Sequence, residues 1–382
     1  STSTAATNIR PLKMLSVGLL QTYKDINTKY YTTKTKVKAS LVDEDGVFVG
    51  RTGCCIGDCR RYIMRERLGR GAFGVVVAAY DTHTKTTVAI KLAKAHPGYA
   101  RQARTEIELL RHVQAQDPDG GGNVVRLLDT FKWNGHQCIV FEKLETNLYM
   151  VLRQTQFRGV PLADTRRYAQ QLLQTLELFA RPDVDLIHCD LKPENIALVK
   201  DGGTCLKVLD LGSSCRNTEQ AHTYIQSRYY RAPEVLLGLP YDHSIDVWSL
   251  GCILAEMHTG RPLFSGNSAT KQVCAIVDKM GLPPTNMLEK MSLEMLAQHF
   301  ITEENDGQQS YQLKRPTTTV HVDHMPECKL WVAIVCGGND KDGEADMLQN
   351  ALLHDLIVSM LAYDPKVRIT PAEALQHQFF NY

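Results

Sequence analysis

Eight consecutive residues, His188-Cys189-Asp190-Leu191-Lys192-Pro193-Glu194-Asn195, hold a carboxylate, an ammonium group and a carboxamide at spacings of two and five residues. Asp190 can accept or orient the proton of an attacking hydroxyl, Lys192 can neutralise a phosphate as it moves, and Asn195 can bind a metal ion. That set suits transfer of a phosphoryl group. Twenty residues after Asp190 comes Asp210-Leu211-Gly212, preceded by the apolar run Leu206 to Leu209, so Asp210 is expected to end a strand and bind magnesium. Upstream, Gly69-Arg70-Gly71-Ala72-Phe73-Gly74 lies between two strand-like runs, where its glycines would let a hairpin backbone close over phosphates. A dinucleotide site would need a helix next, whereas the chain continues as Val75-Val76-Val77-Ala78-Ala79. Seventeen residues past Gly74, Val88-Ala89-Ile90-Lys91 places a lysine on the following strand, within reach of α and β phosphates. Glu106, on the next helical stretch, can pair with Lys91, while Glu108 would point to another face because residues two apart do not share one.

The elements that must position these groups follow from periodicity. Tyr62 to Leu68, Gly74 to Tyr80 and Thr86 to Ala93 read as strands of an antiparallel sheet, and Val124 to Trp133 and Gln137 to Glu142 as further strands. Ala100 to Gln114 has helical spacing through Ala103, Ile107, Leu110 and Val113. Beyond Leu144 the chain is mainly helical, with long helices expected at Thr165 to Ala180, Ile245 to Thr259 and Met347 to Leu361. The fold class is therefore α+β, with a small sheet lobe over residues 61–142, a helical lobe over 143–382 and an N-terminal extension over 1–60. Residues 1–10 are small and polar, and Met14 to Tyr31 has the spacing of a short helix that docks on something.

The 43 basic and 42 acidic side chains leave a net charge of +1, which favours no polyanion, so nucleic acid is not expected as a partner. No apolar run approaches the roughly 18 residues of a membrane span, and no leader opens the sequence, so a soluble intracellular protein is expected. The 11 cysteines are scattered and read as reduced thiols. Cys54, Cys55 and Cys59 lack a second metal-ligating pair and read as a flexible surface segment.

These motifs in this order resemble the eukaryotic protein kinases. The segment Tyr224-Ile225-Gln226-Ser227-Arg228-Tyr229-Tyr230-Arg231-Ala232-Pro233-Glu234 resembles their CMGC group and, within it, the dual-specificity tyrosine-regulated (DYRK) family. Cysteine within His188-Cys189-Asp190, Gly212-Ser213-Ser214-Cys215 and Glu256-Met257-His258-Thr259-Gly260 support that likeness. So does a segment over residues 11–33 similar to the family's N-terminal homology box. The likeness covers 62–382 as well and is weakest over an insert at about 285–350.

The resemblance implies a bilobal fold that binds ATP and Mg2+. The nucleotide would lie under Leu68, Gly69, Gly71, Phe73 and Gly74, with Val76 and Ala89 as roof and Ala197 as floor, where relatives usually carry leucine. Adenine would meet Glu142 and Leu144, Phe141 would guard the pocket behind, and Asn147, Glu194 and Leu209 would complete the site beside Lys91, Asn195 and Asp210. ATP-competitive small molecules would occupy the same hinge pocket. Leu211 replaces the usual phenylalanine with a similar apolar volume, so activity should survive. The likeness further implies protein substrates with proline after the acceptor and arginine upstream, the latter met by Glu194, and a monomer that resides in cytoplasm, nucleus or both. A pseudokinase scaffold is the competing reading, although no metal- or proton-handling residue is missing. A small-molecule phosphotransferase is disfavoured by Arg231-Ala232-Pro233-Glu234, a platform for extended peptides.

Cys189 stands where many kinases carry a phosphate-clamping arginine, so a clamp must come from elsewhere. Arg228 and Arg231, four and seven residues beyond Tyr224, can make bidentate contacts to a phosphate there. In relatives that tyrosine is autophosphorylated; their second tyrosine, two positions earlier, is His222 here. Cys189 and Cys215 are expected on neighbouring strand ends, as a possible redox pair or as plain apolar filling. Glu234 and Arg368 resemble the family's buried ion pair, and Asp246 resembles the residue that anchors the catalytic-loop backbone.

Overall fold

The computed structural model describes residues 41–381 apart from 201, 221–223, 306–307 and 316–343, and within that last stretch it describes Leu330 and Ile334. The helix expected over Met14 to Tyr31, the homology box, His222 and much of the insert lie outside the described residues.

Six strands form one sheet: β1 (Cys55–Ile56), β2 (Tyr62–Arg70), β3 (Gly74–Asp81), β4 (Thr86–Ala93), β5 (Leu127–Trp133) and β6 (His136–Glu142), in the order β1-β2-β3-β4-β6-β5. The β3–β4 ladder is regular from Gly74↔Ala93 to Asp81↔Thr86, whereas β2 slips register twice against β3, between Met64 and Glu66 and between Arg67 and Gly69. Such irregularities bend a strand. Cys55 is thus part of the sheet, contrary to the flexible segment expected around it, because its backbone pairs with Ile63.

Helix α1 (Pro97–Gln116) follows β4. The described residues fall into two compact units: those up to Arg101 with Thr130–Cys138, and Gln102–Asp129 with Ile139–Tyr382. In the first unit, Phe48 is fully buried and meets Trp133 and His136 edge-on, while Tyr62 stacks on Phe131 at 5.3 Å.

The second unit is mainly helical: α2 (Leu148–Gln154), α3 (Leu162–Ala180), α4 (Pro233–Leu236), α5 (Ser244–Thr259), α6 (Ala269–Met280), α7 (Thr285–Leu288), α8 (Leu293–His299), α9 (Glu344–Met360) and α10 (Pro371–Leu375). Short antiparallel pairs accompany them: β7 (Leu186–Ile187) with β10 (Cys215–Arg216), β8 (Ile196–Leu198) with β9 (Leu206–Val208), and the hairpin β11 (Phe300–Asn305) with β12 (Gln308–Leu313). Helix α5 is buried on every side from Ile245 to His258, the mark of a helix at the centre of a core. Helix α6 begins at a Ser268 cap that accepts from the Lys271 N–H, and α10 begins at a Thr370–Glu373 capping box with Pro371 in its first turn. Glu234 and Arg368 form a bidentate pair at 2.7 and 2.9 Å, both side chains essentially inaccessible, which closes this unit as expected. Among the described residues no helix is long and apolar enough to cross a membrane.

Candidate active site

The loop after β7 is held from below. Asp246, buried on α5, accepts from the His188 N–H at 2.6 Å and the Cys189 N–H at 3.1 Å, and burial pushes its carboxyl above the usual range. This bears out the anchoring role expected for Asp246. Cys189 takes a left-handed φ of 63° and Asp210 one of 62°, conformations that side chains normally avoid and that persist where surroundings over-determine them. The His188 ring completes the frame, with Nε2 at 2.9 Å from the Leu209 carbonyl and Nδ1 accepting from the Asp190 N–H at 3.2 Å.

Asp190 stands at the centre of a polar cluster. Its Oδ2 accepts from Lys192 Nζ at 2.6 Å and from Asn195 Nδ2 at 3.4 Å, while Asn195 Nδ2 also donates to the Asp190 carbonyl at 2.9 Å. Its Oδ1 accepts from the Ser227 N–H at 3.0 Å and the Ser227 hydroxyl at 2.7 Å, and Lys192 reaches that hydroxyl at 3.1 Å. Ser227 is the residue missed from the sequence; the signal available was its place in the Gln226-Ser227-Arg228 motif. Asn195 and Asp210 are joined through backbone, since the Leu209 N–H donates to the Asn195 carbonyl at 2.8 Å. Asp210 caps the following turn by accepting from the Gly212 N–H at 3.3 Å, and Leu211 behind it is buried. The strand before Asp210 ends at Val208, two residues sooner than expected.

The same unit carries the residues expected around a base. Phe141 and Ala197 are buried, and Asn147 bridges to Ala197 while Leu198 exchanges backbone bonds with Glu145 and Thr146. Asn147 also caps α2 by accepting from the Met150 N–H. The Glu142 carboxylate is fixed by the Arg126 N–H at 2.8 Å and by Lys207 at 2.5 Å. Glu106 is buried and Glu108 exposed, as their faces on α1 predict, and Gln102 on the same helix donates to the Gly212 carbonyl at 2.9 Å.

In the sheet unit, Lys91 on β4 lies opposite Val76 on β3, and Val76 lies opposite Gly69 on β2, so the three occupy one cross-strand row. Ala89 is two residues from Lys91 on the same strand and largely buried. The glycines do different jobs. A Cβ on Gly69 or Gly71 would meet nothing, which leaves the hairpin open to a ligand, whereas one on Gly74 would meet the Leu92 carbonyl at 2.0 Å. Leu68 is exposed, and Phe73 meets Tyr99 edge-on at 6.4 Å.

The segment from Tyr224 to Glu234 is tightly built. Gln226, buried and left-handed, donates to the Ile245 carbonyl and Ser249 hydroxyl and accepts from the Ala232 N–H, while its own N–H reaches the Cys189 carbonyl. Arg231 donates to the Ile225 and Gln226 carbonyls at 2.7 Å and lies 4.1 Å over the Tyr224 ring. Tyr224 is 72% exposed, and hydrogen bonds from Arg231, then Arg228, hold its phenol below the usual value. Arg228 also donates to the Asn267 carbonyl. The Tyr230 hydroxyl donates to Glu256 at 2.7 Å; burial pushes the Glu256 carboxyl up to about 7, with the charge of Glu194 adding to the rise. Cys189 and Cys215 face one another with sulfurs 3.6 Å apart, Cys215 pairing with Ile187 across β10 and β7.

The protein kinase domain family matches residues 62–380. The dual specificity tyrosine-phosphorylation-regulated kinase mbk-2 of Caenorhabditis elegans is 39% identical over 334 residues, 84% of this chain and 39% of that protein. The protein of the same name from Caenorhabditis briggsae is 38% identical over 331 residues, with the same two shares. The serine/threonine-protein kinase ppk15 of Schizosaccharomyces pombe is 40% identical over 324 residues, 80% of this chain and 60% of that protein. The chain thus spans about two fifths of the nematode relatives and three fifths of the yeast one.

Proposed function

The chain belongs to the protein kinase family, and from that premise we propose that it transfers the γ-phosphate of ATP to serine and threonine hydroxyls of protein substrates. The likeness to dual-specificity tyrosine-regulated kinases read from its motifs is matched by relatives that carry that name. The observation that carries the proposal is the Asp190 cluster: a carboxylate aimed by Ser227 and Asn195, with the Lys192 ammonium on its second oxygen. Asp190 would take up the proton of the attacking hydroxyl, and Lys192 would balance charge on the departing phosphoryl group.

A divalent cation fits the donor set. Asn195 spends its amide nitrogen on Asp190, which commits its oxygen as the acceptor offered to a cation, and Asp210 adds a carboxylate. Two oxygen donors suit Mg2+, which takes its other ligands from phosphates and water. Bound there, the ion would neutralise charge developing on the phosphates. By the family likeness, Lys91 on β4 would hold the α and β phosphates, in the same unit as a Gly69–Gly74 hairpin that is open to a ligand.

Within this reading an upstream substrate arginine is met by Glu194, with Glu256 behind it, since the charge of Glu194 reaches the Glu256 carboxyl. Tyr224 is the autophosphorylation site, supported by its exposure and by Arg228 and Arg231 at its hydroxyl. Turnover of ATP on a basic, proline-containing peptide tests the whole, compared with Asp190→Asn and Lys91→Arg and joined to a phosphosite map of the expressed protein. Phosphate on Tyr224 in the wild type and its absence from Lys91→Arg are expected. Turnover that survives Asp190→Asn would overturn the assignment.

A further inference from the structure

Helix α2 ends in a way its sequence does not favour. The Gln156 N–H returns to the Arg153 carbonyl at 3.0 Å and the Phe157 N–H to the Leu152 carbonyl at 2.8 Å, the bonding pattern of a cap that normally places glycine at the first residue past the helix. Here that residue is Gln156 with φ 57°, and Phe157 follows with φ 57° as well. They are the one consecutive pair of left-handed non-glycine residues among those described. The cap needs one such residue; the second turns Phe157 outward.

The strain is held from outside. Val160 donates to the Met257 carbonyl at 2.8 Å, and a Cβ on Gly159 would strike the His258 carbonyl while one on Gly260 would strike the Phe157 carbonyl, each at close to 2 Å (2.1 and 2.0 Å). The loop is therefore wedged against the end of α5, the circumstance in which strained backbone persists at working surfaces.

What it displays is an aromatic pair among arginines. Phe157 is 43% exposed and Tyr149 38%, with ring centroids 6.1 Å apart. Arg153 lies one helical turn from Tyr149 and is exposed, as is Arg158. Residues 146–163 contain two arginines and no carboxylate, and Asp164 just beyond is engaged by Arg167. The patch also continues the substrate region, because α2 packs on the Pro193–Asn195 turn that carries Glu194.

We propose that this Tyr149, Arg153, Phe157 and Arg158 surface is a second docking site for protein substrates, taking an acidic segment with an aromatic or large aliphatic anchor, upstream of the phospho-acceptor. The inference rests on the kinase reading for its substrate half alone. The ring pair would receive the anchor and the guanidinium groups its flanking carboxylates.

Anisotropy of a labelled peptide, phenylalanine flanked by aspartate and glutamate, tests binding to the full chain without turnover. Arg153→Glu and Phe157→Ser should each weaken binding about tenfold, and a lysine-flanked peptide should prefer Arg153→Glu over wild type. Thermal unfolding confirms that the variants fold, and Arg153→Lys should retain most binding. Kinetically, the acidic segment joined upstream of a proline-containing acceptor should lower KM about tenfold with kcat unchanged, while the acceptor alone is turned over by these variants within about twofold of wild type. Absence of binding, or binding indifferent to Arg153→Glu, overturns the site; binding without any change in KM overturns its role toward substrates. Failure of every protein to turn over the acceptor would instead remove the kinase reading, with anisotropy still deciding the surface.

Discussion

If a substrate arginine is met by Glu194 with Glu256 behind it, as proposed, a Glu256 carboxyl pushed up to about 7 would make that recognition depend on pH in a calculable way. Its ordinary value of 4.5 is pushed up to about 7, chiefly by burial and further by Glu194, against the opposing hydrogen bond from Tyr230. Below pH 7 the free site is mostly protonated, and engaging a guanidinium then requires loss of that proton. Affinity for an arginine-bearing peptide should therefore drop about tenfold for each pH unit below 7 and level off above it. The assay is KM between pH 6 and pH 8 for an arginine-containing peptide, divided by KM for the same peptide with alanine there, which cancels titration of the catalytic groups. Glu256→Gln should flatten the ratio, and Tyr230→Phe should move its midpoint upward by removing the bond that favours the ionised form. Stability carries the opposite sign. Between pH 4.5 and 7 the unfolded chain ionises Glu256 while the folded one keeps its proton, so wild type should lose stability relative to Glu256→Gln as pH rises through that window. A flat ratio in wild type, or a slope that survives Glu256→Gln, would refute the reasoning.

Arg368→Ala should destabilise the protein by about 3–5 kcal/mol in urea unfolding, because it leaves Glu234 charged in a closed core; Glu234→Met with Arg368→Leu should recover part of that loss. Tyr224→Phe should leave the segment folded but remove any phosphate-dependent gain in turnover, measured beside a phosphatase-treated wild type. With diamide, the Cys215 and Cys189 thiols should yield two electrons and two protons to the diazene and join as a disulfide. The sulfurs must close from 3.6 Å, which drags the residue next to Asp190, so turnover should fall, recover with dithiothreitol and become insensitive in Cys215→Ser. Unchanged activity of the oxidised wild type would dismiss the pair.

The strand from Thr86 to Ala93 is legible end to end because its apolar, β-branched run stops at turn residues on one side and meets Pro97 soon after the other. Strand β2 runs two residues past Leu68, since the first glycine of the loop still pairs with Val76. Periodicity cannot see that, because glycine carries no side chain to alternate. Asp190, Asn195 and Asp210 stand out by spacing, Asn195 and Asp210 on short local turns, although the loop that carries Asp190 is held by Asp246 from 57 and 58 residues away. Ser227 does not, because it meets Asp190 from 37 positions further along the chain, on a path set by the buried amide of Gln226. Glu256 stood in a recognisable motif, yet its chemistry depends on how completely α5 is enclosed. The second left-handed residue at Phe157 had no sequence signal at all, for phenylalanine is among the residues least expected there.

The Asp246 carboxylate ties the thermal robustness of this protein to its chemistry. It is buried, its two oxygens are taken by the two amides before Asp190, and burial works against its charge. An apolar residue there would remove the buried charge but leave the His188 and Cys189 N–H groups without their acceptor, at about 1–3 kcal/mol each, and the catalytic loop would lose the support on which its strained backbone is shaped. Directed evolution that screens for melting temperature and turnover together should leave this position untouched, and a screen for melting temperature alone should return no apolar replacement there, because the two stranded amides lower stability.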